Sequence, residues 1–200
     1  QERSEGNPLS LKLICQGLDQ GTYRLEDITA LPRDMEELYQ KALAGMEAHS
    51  PEAIDLLSLL AASRDFVSVA MAAELMGTTE KRLDPTVSAC MELLYEDPLT
   101  ENLIDYQLFH ESLREHLQDK QSREVNRWEE RLSRWSTDWQ RDGKPRHEAE
   151  RLRYAMAYAV PHQVACRDRA QQAFLEKSLH KSSQWMASVK QSHEVRQRGE

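Results

Sequence analysis

The stretch Tyr106-Gln107-Leu108-Phe109-His110-Glu111-Ser112-Leu113-Arg114-Glu115-His116-Leu117 changes its periodicity partway along, and this constrains the fold more than any other feature of the chain. Up to Leu108 the apolar residues alternate, with Ile104, Tyr106 and Leu108 on one face of an extended strand. Beyond it Phe109, Leu113 and Leu117 recur at four-residue steps, the spacing of one helical face. His110 stands at the junction. The first N–H groups of a helix lack intrahelical partners and carry a partial positive charge, so a phosphate is a natural ligand there. An imidazole adds a directed donor to the same anion. The plainer alternative is that His110 only caps the helix or packs on Tyr106.

The residues before this junction read as short helices. Ser50-Pro51-Glu52 starts one that carries Ile54, Leu57, Leu60 and Ala61. Asp65-Phe66-Val67 is an extended link, and Ser68 caps a helix from Val69 to Met76 that Gly77 stops. Thr79 begins a turn, and Asp84-Pro85 opens a third helix bearing Val87, Cys90, Met91 and Leu94, ended by Asp97-Pro98. With the alternating segment 102–109 behind them, these helices have the layout of a winged helix-turn-helix.

Both flanks are helical as well. Asn7 and Pro8 suit the cap and first position of a helix burying Leu11, Ile14, Cys15 and Leu18, with Gly17 and Gly21 at its exit. Leu31-Pro32 opens a second, with a stripe of Met35, Leu38, Tyr39, Ala42 and Met46, and the pair forms an α-hairpin that needs another domain to cover it. On the C-terminal side Val125, Trp128, Leu132, Trp135 and Trp139 make a helix-packing seam, and Asp142-Gly143-Lys144-Pro145 breaks that helix. A helix from about His147 to Tyr158 follows, burying Leu152, Ala155, Met156 and Ala159. Pro161 interrupts it, a further helix carries Val164, Cys166, Ala170, Phe174 and Leu175, and the polar tail frays from about Lys190. The expected fold is therefore mainly α: an α-hairpin in residues 1–48, a winged helix-turn-helix with a small β wing in 49–119, and an antiparallel helical array in 120–200.

Composition narrows the function. A net charge of -8 argues against a chain whose main task is to coat nucleic acid or an anionic membrane. No apolar run approaches the roughly 20 residues of a membrane span. Cys15, Cys90 and Cys166 lie far apart in apolar helical contexts, which points to reduced, packed thiols in a cytosolic protein. No phosphate-binding G-x-x-x-x-G-K-[ST] loop, HExxH, CxxC or G-x-S-x-G occurs, and the seven histidines do not cluster with cysteines at metal spacing. Neither a metal site nor a catalytic constellation is expected, and the opening at a helix start suggests a piece of a longer protein.

Three separated stretches resemble the signal-transducing NTPases with numerous domains, the STAND class, and within it the NACHT and NB-ARC type. Gly6-Asn7-Pro8-Leu9-Ser10-Leu11 looks like the Gly-x-Pro motif of the family's helical domain. Leu31-Pro32-Arg33-Asp34-Met35-Glu36-Glu37-Leu38-Tyr39 is similar to the segment leading into its winged helix. Leu108 to Leu117 resembles its phenylalanine-x-histidine-x-serine-leucine-arginine pattern, and Tyr154 to His162 more weakly resembles its helical arm. The resemblance implies that Gly6 and Pro8 belong to an adenine contact and that His110 points to the β-phosphate of ADP in a closed, inactive arrangement. It places the P-loop, and the acid holding Mg with ADP or ATP, in an upstream nucleotide-binding domain. It also implies downstream WD40 or TPR-like sensor repeats and a homo-oligomer in the active state. ATP hydrolysis by this chain alone is not implied.

Two other readings stand beside it. One is a helical scaffold or adaptor in which every motif is packing. The other is a DNA-binding winged helix whose helix Pro85–Tyr95 would enter the major groove. Asp84 before that helix, Glu92 within it and Glu96-Asp97 at its end make the face acidic, which repels phosphate.

Overall fold

The computed structural model describes residues 14, 15, 18, 34–50, 52–96, 105–138 and 151–171. Their fold is mainly α with a small three-stranded antiparallel sheet. The elements are α1 (Met35–His49), α2 (Glu52–Ala62), β1 (Val67–Ser68), α3 (Val69–Met76), α4 (Glu80–Cys90), a 3-10 turn (Met91–Leu93), β2 (Leu94–Glu96), β3 (Asp105–Leu108), α5 (Glu111–Lys120) and α6 (Ser122–Asp138). A helix over 151–171, here α7, completes the described part.

The helix α2 lies at the centre. Ala53 and every residue from Leu56 to Ala62 are buried, so it is apolar nearly all round, the mark of an interior helix. It packs against α1, α3, α4, α5, α6 and β3. The surrounding helices each turn one stripe toward it. Leu38, Tyr39 and Leu43 of α1, Leu113 and Leu117 of α5, and Val125, Trp128, Leu132 and Trp135 of α6 are all buried. Trp139, the last member of the expected seam, lies outside the described residues.

Local chemistry sets the ends of these helices. Asp34 accepts the Glu37 N–H at 2.8 Å and starts α1. The Ser68 hydroxyl accepts the Met71 N–H at 3.0 Å and starts α3. Gly77 ends α3 in the left-handed region at φ 70°, and Thr78 N–H closes back on the Ala73 carbonyl at 2.9 Å. In the sheet, ordered β1-β3-β2, Val67 lies opposite Tyr106 and Leu94 opposite Leu108. This turns Tyr106 and Leu108 toward the core; Ile104 is outside the described residues.

Several expectations need correction. The helix placed from Asp84-Pro85 begins at Glu80, with Pro85 inside it. Pro85 is exposed, so water can satisfy the carbonyl it leaves unpaired, and the buried Leu83, Thr86 and Val87 hold the helix together. That helix ends at Cys90; Met91 belongs to the 3-10 turn and Leu94 to β2. The groove-reading helix Pro85–Tyr95 is therefore not formed as such. Phe109 precedes α5, is 42% exposed, and donates its N–H to the Leu93 carbonyl.

Pro161 does not interrupt α7, which runs on through it. The buried face of α7 also differs from the expected one. Ala155 is buried as expected, but beside it lie Arg151, Tyr154 and His162, whereas Leu152 and Met156 are exposed. A largely polar face went inward, and apolar spacing missed it. Cys90 is buried, and burial pushes its thiol up to about 12, but Cys15 is exposed rather than packed. Of the N-terminal hairpin only α1 is described beyond Ile14, Cys15 and Leu18. No helix among the described residues is long and apolar enough to cross a membrane.

Two substitutions test this account with opposite signs. The Ser58 hydroxyl on α2 is buried without a hydrogen-bond partner among the described residues, so Ser58→Ala should raise the unfolding free energy by about 1 kcal/mol. Gly77→Ala forces a side chain into left-handed backbone and should lower it by about 1 kcal/mol. Urea unfolding of the two variants measures both.

Candidate functional site

The junction between β3 and α5 brings a strand end, a helix start and the side of α1 together. His110 is the N-cap of α5, with extended backbone, and its Nδ1 accepts the Ser112 N–H at 3.2 Å. The Ser112 hydroxyl lies 2.7 Å from the same Nδ1 and 2.7 Å from the Tyr39 hydroxyl. Burial pushes the Tyr39 hydroxyl above its ordinary value, opposed by the Ser112 bond, so the phenol keeps its proton and is free to donate. The consistent arrangement runs from Tyr39 O–H to Ser112 Oγ and from Ser112 O–H to His110 Nδ1. A backbone N–H only donates, so Nδ1 is the acceptor and a neutral ring carries its proton on Nε2. His110 is half-buried, and Nε2 has no partner among the described residues. The site therefore offers one oriented N–H donor at a helix N-terminus.

The rest of the motif is turned inward. Leu113 is fully buried. Arg114 reaches the end of α2, where its Nη1 lies 3.0 Å from the Leu60 carbonyl and 2.8 Å from those of Ala61 and Ser63. The last carbonyls of a helix have no internal partners, and a guanidinium suits the negative end of the dipole. Glu111 holds the other side of Arg114 at 3.2 Å. On the neighbouring face of α5, His116 packs its ring 5.4 Å from that of Tyr39.

A second polar constellation fastens α7. His162 is fully buried, with Nδ1 at 2.5 Å from Glu129 of α6 and Nε2 at 2.9 Å from the Tyr154 hydroxyl. Arg64, in the link after α2, donates its backbone N–H to Tyr154 at 3.3 Å and its guanidinium to Glu129 at 3.2 Å. Burial alone would push the Glu129 carboxyl up; the His162 hydrogen bond and the charges of His162 and Arg64 outweigh it and hold the group below its ordinary value. Beside it Arg151 spans Glu74 at 3.1 Å and the Trp135 carbonyl at 2.6 Å, with its guanidinium 4.7 Å over the Trp135 ring. An acid, an imidazole and a phenol in line suggest proton transfer, but the His162 ring is sealed from solvent, with both nitrogens taken up by Glu129 and Tyr154. It is a fastening.

Of the site residues proposed from sequence, only His110 lies among the described residues; Gly6 and Pro8 lie outside them. The contributions of Tyr39, Ser112 and Arg114 were not foreseen, although two of them sit inside the motif. Nor was the Glu129, His162 and Arg64 cluster. Its one sequence signal is that Tyr154 and His162, eight apart, share a helical face. No group of metal-ligating side chains occurs among the described residues.

Arg114→Ala strips three carbonyls of their donor and should destabilise the chain by about 3 kcal/mol, against about 1 kcal/mol for His110→Ala. Thermal unfolding at neutral pH compares them. Because the Glu129 pKa is lowered on folding, its contribution is present above the unfolded carboxylate value of about 4.3 and is lost as pH falls through the lower folded value. Glu129→Gln should therefore be less stable at neutral pH but lose less stability on acidification, as urea midpoints measured across that range would record. No family model matches the chain, and no curated protein or solved structure shows significant similarity to it.

Proposed function

We propose that this chain is the regulatory part of a STAND-type switch of the NACHT or NB-ARC kind, in which the winged-helix unit closes over ADP supplied by an upstream nucleotide-binding domain. The observation that carries the reading is the His110 ring. Its Nδ1 is held by Ser112 and, through it, by Tyr39, leaving Nε2–H as an oriented donor at the start of α5. Such a donor fits a terminal phosphate oxygen. The Glu111 carboxylate, which would repel a phosphate nearby, is paired with Arg114. ADP or ATP, with Mg on the upstream domain, would supply the phosphate; this chain supplies the donor and the hinge of the docked state.

The physical logic is differential contact. A ligand shifts a domain arrangement only by what it gains in one state over the other. A donor on a separate unit meets the phosphate only when that unit is docked. One charge-assisted hydrogen bond is worth about 1.5–3 kcal/mol, which tilts a balanced equilibrium roughly ten- to a hundredfold. Sensor repeats downstream, and a homo-oligomer of the open state, would complete the switch.

A helical adaptor with no nucleotide role is the second reading. It is favoured by the inward use of the motif, since Ser112, Leu113 and Arg114 all serve packing or capping. The DNA-binding reading has less to support it: α4 ends at Cys90 and exposes Glu80 and Asp84 beside Lys81 and Arg82.

In the longer protein, His110→Leu should raise basal activity and speed ADP release by ten- to a hundredfold. His110→Asn retains a good N-cap and so separates loss of the phosphate donor from loss of the helix start. Unchanged ADP retention in both variants, read by nucleotide release after purification, favours the adaptor.

A further inference from the structure

The helix α7 turns its largely polar face inward, to the fastening described above. Its outer face is formed by Leu152, Met156, Val160 and Val164, which are 38%, 82%, 68% and 50% exposed. At 100° per residue the midpoint of this row stands about 140° round the helix from His162. A surface helix ordinarily turns its second side to water with charged residues. Here the row holds apolar residues at every fourth position, the i±4n ridge with which one helix packs into the groove of another.

Two of the three charges on that side are basic. Arg153 and Arg167 flank the ridge, both exposed and without an ion-pair partner among the described residues, while Asp168 sits toward the edge. Fourteen residues separate the two arginines, about 21 Å along the helix at 1.5 Å per residue. This lies on a chain whose net charge is -8, so the basic pair is a local reversal rather than a reflection of composition.

We propose that the outer face of α7 is a docking ridge for an amphipathic α-helix that brings leucine-like side chains to the groove and carboxylates to Arg153 and Arg167. The proposal is independent of whether His110 meets a phosphate. An anionic bilayer would present a similar combination of apolar and negative surface. It is the poorer fit, because the ridge carries no aromatic residue to anchor at an interface and the acidic remainder of the chain opposes approach.

The test uses the 200-residue chain and two synthetic amphipathic peptides with leucine at every fourth position, one flanked by glutamates and the other by lysines. The acidic peptide should bind at least tenfold more tightly by titration calorimetry. Met156→Glu, at a position too exposed to affect folding, should abolish binding, and Arg153→Glu with Arg167→Glu should reverse the preference. Equal affinity for both peptides, no binding of either, or retention by phosphatidylserine vesicles with no peptide binding would each overturn the assignment.

Discussion

A helix buried on all sides has nowhere to send its last carbonyls, and the rest of this structure follows from how that is solved at α2. Arg114 crosses from α5 to Leu60, Ala61 and Ser63 and supplies the donor that water cannot. The same contact fixes α5 against α2. It thereby fixes the direction in which α5 begins, and with it the place of His110. A site with one oriented imidazole depends on a guanidinium four residues further on.

The end of α2 is also where the C-terminal helices attach. One residue after the carbonyl of Ser63, Arg64 turns to Tyr154 and Glu129. Glu129 and Tyr154 then take up both nitrogens of His162. Closing these bonds inside the protein offsets the cost of burying charged groups, which would be prohibitive if any were left without a partner. The two polar knots meet at one short link, so α5, α6 and α7 are positioned from the same few residues. The outer side of α7 takes no part in this and retains an apolar ridge between arginines.

Where sequence reasoning succeeded, the signal was local or periodic. Ser68 and Gly77 delimit α3 because a hydroxyl before a helix and a left-handed glycine after it act within a few residues. The seam through Val125, Trp128, Leu132 and Trp135 follows from spacing alone. Where it failed, a nonlocal contact prevailed. Pro85 reads locally as a helix start and Pro161 as a break, yet both lie inside helices held by side chains packed on either side of them. Leu152 and Met156 were assigned to the core because apolar spacing marks a buried face. The face that went in is closed by hydrogen bonds, which hydropathy does not register.

The sequence by itself therefore determined the helical class, the presence of a small β element, the strand-to-helix junction at His110 and the two ends of α3, because these depend on neighbours a few residues away. Only the tertiary structure decided that Arg114 serves α2 and which side of α7 is buried. Both depend on partners 16 to 90 residues distant in the chain, such as Trp135 for Arg151 and Tyr154 for Arg64, and no local spacing encodes that they will meet.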